Sequence, residues 1–247
     1  EIAGEHGQTG EPERPIKPAG NRMRLLVMAG LFILALLPFY GGNFAVVLVT
    51  DIMIFCLFAA SLHFMLGQGG LVSFGHAAFF GGGAYAAALF VTYADTPMEL
   101  ALVLAPICAG LAAVVIGWVC LRSTGVYFAM LTLAFGQLLW SLAFQWGDVT
   151  GGDDGLVNIW PSDWASDNDV YYYLAFVFCI GGILLLRQAA HAPFGYAMRA
   201  ARDSARQAEA MGINTKRIQW VAFTFAGIMA GLAGGVFVFS KGSIFPH

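Results

Sequence analysis

Residues 67–85 read GQGGLVSFGHAAFFGGGAY, with long apolar runs on both sides. Six further glycines follow Gly67 within 16 residues, and glycine weakens a helix because its backbone loses the most freedom on ordering. A regular helix is not expected to run through the whole stretch. The flanking runs, 44–66 and 76–91, are long enough to approach the ~20 apolar residues that cross a bilayer. Backbone that leaves helical pairing at membrane depth is tolerated where protein or a water-filled cavity satisfies its polar groups, and broken helices of this kind often bind substrate. Two readings stand at this point. In one, Gly69, Gly70, Ser73, Gly75 and His76 line a route; in the other, the glycines allow close helix packing or a short turn between two spans.

Composition supports a lipid environment. The chain has 247 residues, 59% hydrophobic and 11% charged, whereas a soluble domain carries about 25% charged residues. Further apolar runs occur at 25–39, 99–121, 126–144, 170–186 and 218–239, which with the two above predicts an all-α polytopic membrane bundle of about seven helices. Residues 1–22 are polar and rich in Pro and Gly without an apolar core, so they predict a cytoplasmic tail rather than a signal peptide. Residues 23–247 form the expected transmembrane domain.

Charge gives the orientation. Of the 12 Lys and Arg residues, all but Lys241 precede the first run, follow the fourth, or lie in the connection 187–217. A cytoplasmic N-terminus with seven crossings puts every one of them inside except Lys241, as the positive-inside rule expects. The connection 145–169 carries Asp148, Asp153, Asp154, Asp163, Asp167 and Asp169 without a Lys or Arg, and the same parity puts it outside. Trp140, Trp146, Trp160, Trp164 and Tyr171 to Tyr173 bracket it as interfacial aromatics.

Two further stretches are informative. Residues 123–137, STGVYFAMLTLAFGQ, open a span with a small polar turn and place Tyr127, Thr132 and Gln137 among apolar residues. Each suits either substrate contact or helix–helix hydrogen bonding. The connection 187–217 contains helix formers after Pro193 and Gly195 until Gly212, predicting two short helices at 194–202 and 204–211 with Asp203 or Ser204 as N-cap. Short helices outside the bilayer need a surface to pack on, so this loop is expected to dock on a partner rather than serve only as a topology signal. In the last run, Gly227, Gly231 and Gly235 recur every four residues on one helix face, a pattern for close backbone approach.

Other classes are disfavoured. The Cys residues at 56, 108, 120 and 179 lie singly in separate apolar stretches with no metal-ligand spacing, so no metal or bound cofactor is expected. No GxxxxGK[ST] loop is present, and no local motif joins a His to a Ser or Cys nucleophile; no catalytic residue is assigned, and nothing suggests nucleic acid as a partner. Asp51 and His63 are 12 residues apart, about 18 Å on one straight helix, and cannot touch.

Taken together, GLVSFGHAAFFGGGAY at 70–85, STGVYFAMLTLAFGQ at 123–137, TGGDDGL at 150–156 and APFGYAMRAARDSARQAEAMGIN at 192–214 resemble the LivM-like permease subunits of branched-chain amino-acid ABC importers. The resemblance runs from about residue 44 to the end. It implies an inner-membrane subunit with a second permease subunit, two cytoplasmic ATPase subunits holding the ATP, and a periplasmic substrate-binding protein. It also implies that Phe194, Gly195, Arg202, Ser204, Arg206, Glu209, Ala210, Met211 and Gly212 couple to the ATPases. Relatives in the family continue through further spans, which leads us to expect that C-terminal spans are missing here. The alternatives are a urea or short-amide importer of the same family, an ion-coupled secondary transporter using Asp51 and His76, and a structural subunit of a membrane complex.

Overall fold

A computed structural model describes residues 21–40 and 42–246. The expected tail, 1–22, therefore lies outside the described residues except for Asn21 and Arg22, which already belong to a helix. The chain divides into two units, one ending at Tyr40 and one running from Gly41 onward. The first contributes α1 (Asn21–Tyr40), which has Pro38 inside it; its apolar part, Met28–Tyr40, is shorter than a full span.

The second unit contains α2 (Asn43–His63), α3 (His76–Ala94), α4 (Met98–Cys120), α5 (Val126–Gln145), α6 (Gly147–Thr150), α7 (Asn168–His191), α8 (Pro193–Asp203), α9 (Ala205–Ala210) and α10 (Thr215–Lys241). Six helices among the described residues are long and apolar enough to cross a membrane: α2 with its extension to Gln68, α3, α4, α5, α7 and α10. Each satisfies its backbone internally, as hydrocarbon demands. The result is an all-α polytopic bundle.

The core is organised on α10, whose apolar window is 67% buried against 17% for α5. Its glycines explain the difference. A Cβ placed on Gly227, Gly231 or Gly235 would stand 2.6, 2.2 or 3.1 Å from the Cβ of Ala113, Ala109 or Ala105 respectively. The partners descend α4 by four as the glycines ascend α10 by four, so the two helices run antiparallel with backbones in near contact. On its other side α10 meets α3: a Cβ on Gly234 would lie 1.9 Å from the Phe80 carbonyl oxygen. Small residues thus replace the hydrophobic effect as the means of association.

The bundle has a basic end and an acidic end. At the acidic end the connection 145–169 is folded: α6 follows α5 directly, and β1 (Leu156–Val157) pairs antiparallel with β2 (Ser243–Ile244) beyond α10. Trp140 Nε1 donates to the Pro246 carbonyl (2.9 Å), Trp164 Nε1 to Glu99, and Tyr93 Oη to the Asp148 carbonyl (2.9 Å). The four tryptophans remain largely exposed, as an interfacial belt requires. Tyr171 and Tyr172 depart from that expectation: they are 6% and 0% exposed, because they face the bundle interior, where Tyr171 Oη donates to the Val236 carbonyl. Among the three tyrosines only Tyr173 reaches the surface.

Candidate functional site

The glycine-rich stretch breaks the helix as expected, in two stages. After His63 the helix widens into a π-helical turn, Phe64–Gln68, and such turns inside α-helices mark functional sites more often than chance. The chain then runs without helical structure until His76 opens α3. Gly70 is required there twice over: its φ is +64°, and a Cβ would lie 2.6 Å from Arg202 Cγ.

The break crosses α5. A Cβ on Gly75 would stand 2.0 Å from the Thr132 carbonyl oxygen, so only glycine admits this approach. Thr132 Oγ1 accepts from the Phe74 amide (3.2 Å) while donating to the Ala129 carbonyl (2.8 Å). Thr132 therefore ties the non-helical backbone to α5 and is 2% exposed. The close-packing reading of the stretch is realised at Gly75, and the same contact holds irregular backbone against α5.

His76 is enclosed. Its Nε2 lies 2.9 Å from Ser61 Oγ, which donates to the Phe58 carbonyl (2.6 Å). With the hydroxyl proton so engaged, Nε2 carries the ring proton and Nδ1 is a bare acceptor. Phe58 stacks on the ring and Phe79 meets it edge-on. His76 Nδ1 and Ser73 Oγ are both buried with no hydrogen-bond partner. An orphaned buried polar group costs on the order of 1–3 kcal/mol, so both atoms have unused hydrogen-bonding capacity in this stretch. Gly69 is buried nearby, against Met198 of α8.

Tyr127 and Gln137 are not brought to this point. Each is five residues from Thr132, which on a helix of 3.6 residues per turn is about 140° around the axis. With Thr132 inward they lie on the exposed side of α5, where Tyr127 is 78% exposed. Toward the acidic end the same side opens into a cleft of about 490 Å³ lined by Leu138, Ser141, Leu142, Gln145 and Trp146. The residues expected to act together thus occupy two faces of one helix.

The basic end carries α8 and α9. Pro193 sets the first turn of α8, and Gly195 is buried against the Ala190 carbonyl, 2.2 Å from where its Cβ would be, so α8 folds back tightly on α7. Ser204, not Asp203, is the N-cap of α9, its hydroxyl accepting from the Gln207 amide. α9 ends in a Schellman motif: the Ile213 amide donates to the Ala208 carbonyl and the Gly212 amide to the Glu209 carbonyl, with Gly212 at φ +83°. Glu209 accepts from Thr215 Oγ1 (2.7 Å) and pins α9 to the start of α10. Arg206, Ala210, Met211 and Gly212 are exposed, Met211 at 69%. Phe194 is half-buried. Arg202 is also exposed and pairs with Asp203 at 2.8 Å, while its Nη1 donates to the Gly67 carbonyl.

Sequence reasoning missed a pair at the acidic end. Lys241 Nζ bonds Asp51 Oδ2 at 2.5 Å, joining the end of α10 to α2. Each was the odd charge of its own count, the one cation on the acidic side and a carboxylate inside a span, and that coincidence was the available signal. No group of His, Cys, Asp or Glu suited to a metal occurs among the described residues, and the four cysteines are free thiols.

Comparison with known proteins agrees with this geometry. A family model described as the permease component of branched-chain amino acid transport systems matches residues 44–247. The high-affinity branched-chain amino acid transport system permease protein LivM of Salmonella typhimurium is 27% identical over 253 residues, covering 92% of this chain and 60% of the relative. Its counterpart of the same name in Escherichia coli is 26% identical with the same coverage. The chain thus spans 60% of the length of the curated relatives it matches. No solved structure matches.

Proposed function

The chain belongs to the permease-component family of branched-chain amino acid transport systems, and from that premise we propose that it is a LivM-like membrane subunit of an ATP-driven importer for branched-chain amino acids. The observation that carries the proposal is the seating of α8 at the basic end against the broken helix, with α9 following it and Met211 and Arg206 exposed. In this reading the basic end is cytoplasmic, two ATPase subunits dock on α8 and α9, and a second permease subunit and a binding protein on the acidic side complete the importer. ATP binding closes the ATPases and moves α8 and α9, and the break between Gly67 and His76 changes shape in response. Ser73 Oγ and His76 Nδ1, unpaired in the closed bundle, would meet the polar ends of an amino acid when the stretch opens.

The ion-coupled alternative gains nothing from the geometry, since Asp51 is committed to Lys241. The test is uptake of labelled leucine, phenylalanine and urea by vesicles holding this subunit with the products of its neighbouring genes, with and without ATP inside. ATP-dependent leucine uptake is the expected result. Uptake that ignores ATP contradicts the importer reading, and ATP-dependent uptake of urea alone contradicts the cargo.

A further inference from the structure

Two arginines of α8 reach back to the broken helix, and Arg202, which stays 41% exposed, also pairs with Asp203 at 2.8 Å. Arg199 Nε donates to Gln68 Oε1 and its Nη2 to the Ala190 carbonyl (2.9 Å). Arg202 Nη1 donates to the Gly67 carbonyl, and its side-chain carbons fill the space that a Cβ on Gly70 would need. Gln68 and Gly67 lie in the π-helical turn, and Gly70 is the first left-handed residue of the break. A widened turn leaves carbonyls without their usual helical donors, and guanidinium groups supply charged donors in a fixed fork. The two side chains are one α-helical turn apart, as same-face contact requires. Beside Arg202 lies a polar cavity of about 150 Å³, bounded by Gly69, Gly70, Ser123, Thr124 and Gln219.

From the break the contacts continue to α5. Phe74 and Gly75, four and five residues beyond Gly70, bond to and press on Thr132. A shift of α8 is therefore delivered to α5 through fewer than ten residues of non-helical backbone, held at one end by Arg199 and Arg202 and at the other by Thr132.

We infer that Arg199 and Arg202 are positioning residues that transmit movement of α8 to the glycine-rich break, acting on Gln68, Gly67 and Gly70 rather than on the ATPase. This rests on the importer reading above. It reassigns Arg202 from a docking residue to an internal link and adds Arg199, which the sequence pattern did not single out.

The experiment uses the complete importer in vesicles and reads leucine taken up per ATP hydrolysed, for wild type, Arg199→Gln, Arg202→Gln and Arg202→Lys. Loss of a coupling contact is expected to lower that ratio about tenfold in each Gln variant, in the range typical of intersite coupling. Arg202→Lys keeps a donor for the Gly67 carbonyl and is expected to recover much of the ratio. An unchanged ratio in the Gln variants, or no recovery with Lys, overturns the inference. A second arm does not depend on cargo. With the native cysteines replaced, thiol accessibility at Ser73→Cys is compared in nucleotide-free and ATP-bound complexes that also carry Gln68→Cys and Arg199→Cys, left free or joined by a short bifunctional thiol reagent. The ATP-induced change is expected to be smaller in the unlinked variant, which lacks the Arg199 contact, and to return when the crosslink rejoins α8 to the turn; equal changes with and without the crosslink overturn the link. If wild type shows neither ATP-dependent uptake nor an ATP-induced change at this thiol, the importer reading fails; if wild type shows both and the variants match it, the inference alone fails.

Discussion

α10 and α5 are both apolar helices of membrane-spanning length, yet α10 is buried over most of its surface while α5 buries only a narrow stripe. The difference lies in side-chain size. α10 presents glycine to α4 along one face and to α3 along another, so two neighbours close on it at backbone distance. α5 presents Thr132 and Gly136 to the break at Gly75 and Phe128 to Phe223 of α10, a contact between large side chains rather than backbones. In a membrane, where apolar surface gains little from leaving lipid, close packing decides which helix is fixed. α10 is the spine of the bundle. α5 is held at one backbone crossing, and its outer face, with Tyr127, Gln137 and the cleft near Ser141, is left for lipid, a second subunit or substrate.

The largest effect should come from filling the spine. Gly231→Val puts side-chain atoms where Ala109 already stands and is expected to cost about 3 kcal/mol or more, the upper range for overpacking. Gly181→Val on α7, where a Cβ meets nothing within 4 Å, should cost well under about 1 kcal/mol. Thermal unfolding in detergent checks both, and equal losses would break the contrast between packed and unpacked glycines.

Next comes the ion pair that clasps the spine to α2. Lys241→Met leaves the Asp51 carboxylate, already carrying one orphaned oxygen, without its cation. The expected cost is about 1–2 kcal/mol, below that of a fully buried pair because both groups retain some solvent contact. Asp51→Asn in the Lys241→Met background should restore part of it. An additive double mutant would show that the pair contributes no interaction energy.

The smallest effect on stability, and the sharpest test of the contrast, is on α5. Tyr127→Ala and Gln137→Leu change exposed positions and should shift unfolding by less than about 0.5 kcal/mol. Leucine uptake should nevertheless fall, because the same face is available to a second subunit or to substrate. Unchanged uptake in both variants would assign that face to lipid.

The bundle was legible in the sequence because hydrocarbon leaves a chain few choices: runs of apolar residues at the right length become helices. The two helices of the basic loop were legible because Ser204 and Gly212 are cap residues that act locally. The break at 67–75 was visible as a glycine excess, though the π-helical turn before it was not, since widening depends on donors from α8 that are more than a hundred residues away. Tyr127, Thr132 and Gln137 shared one apolar run, and only the packing of Thr132 against Phe74 separates them into two faces. Tyr171 and Tyr172 carried a surface signal by position beside the loop, which tertiary packing overrode. The Lys241 to Asp51 pair joins the two ends of the bundle unit, a contact that no local pattern encodes.

The most direct test of the central claim is ATP-dependent leucine uptake by the complete importer carrying Met211→Glu together with Arg206→Glu. Both positions are exposed on α9 and its end, and neither carries the contacts by which Glu209 and Gly212 hold α9 in shape. With the variant inserted and folded as wild type, the account predicts that uptake falls at least about tenfold, the scale of losing one interface anchor, and that the ATPase subunits no longer copurify with it. Wild-type uptake from that variant would contradict the claim that ATP hydrolysis reaches this chain through α8 and α9.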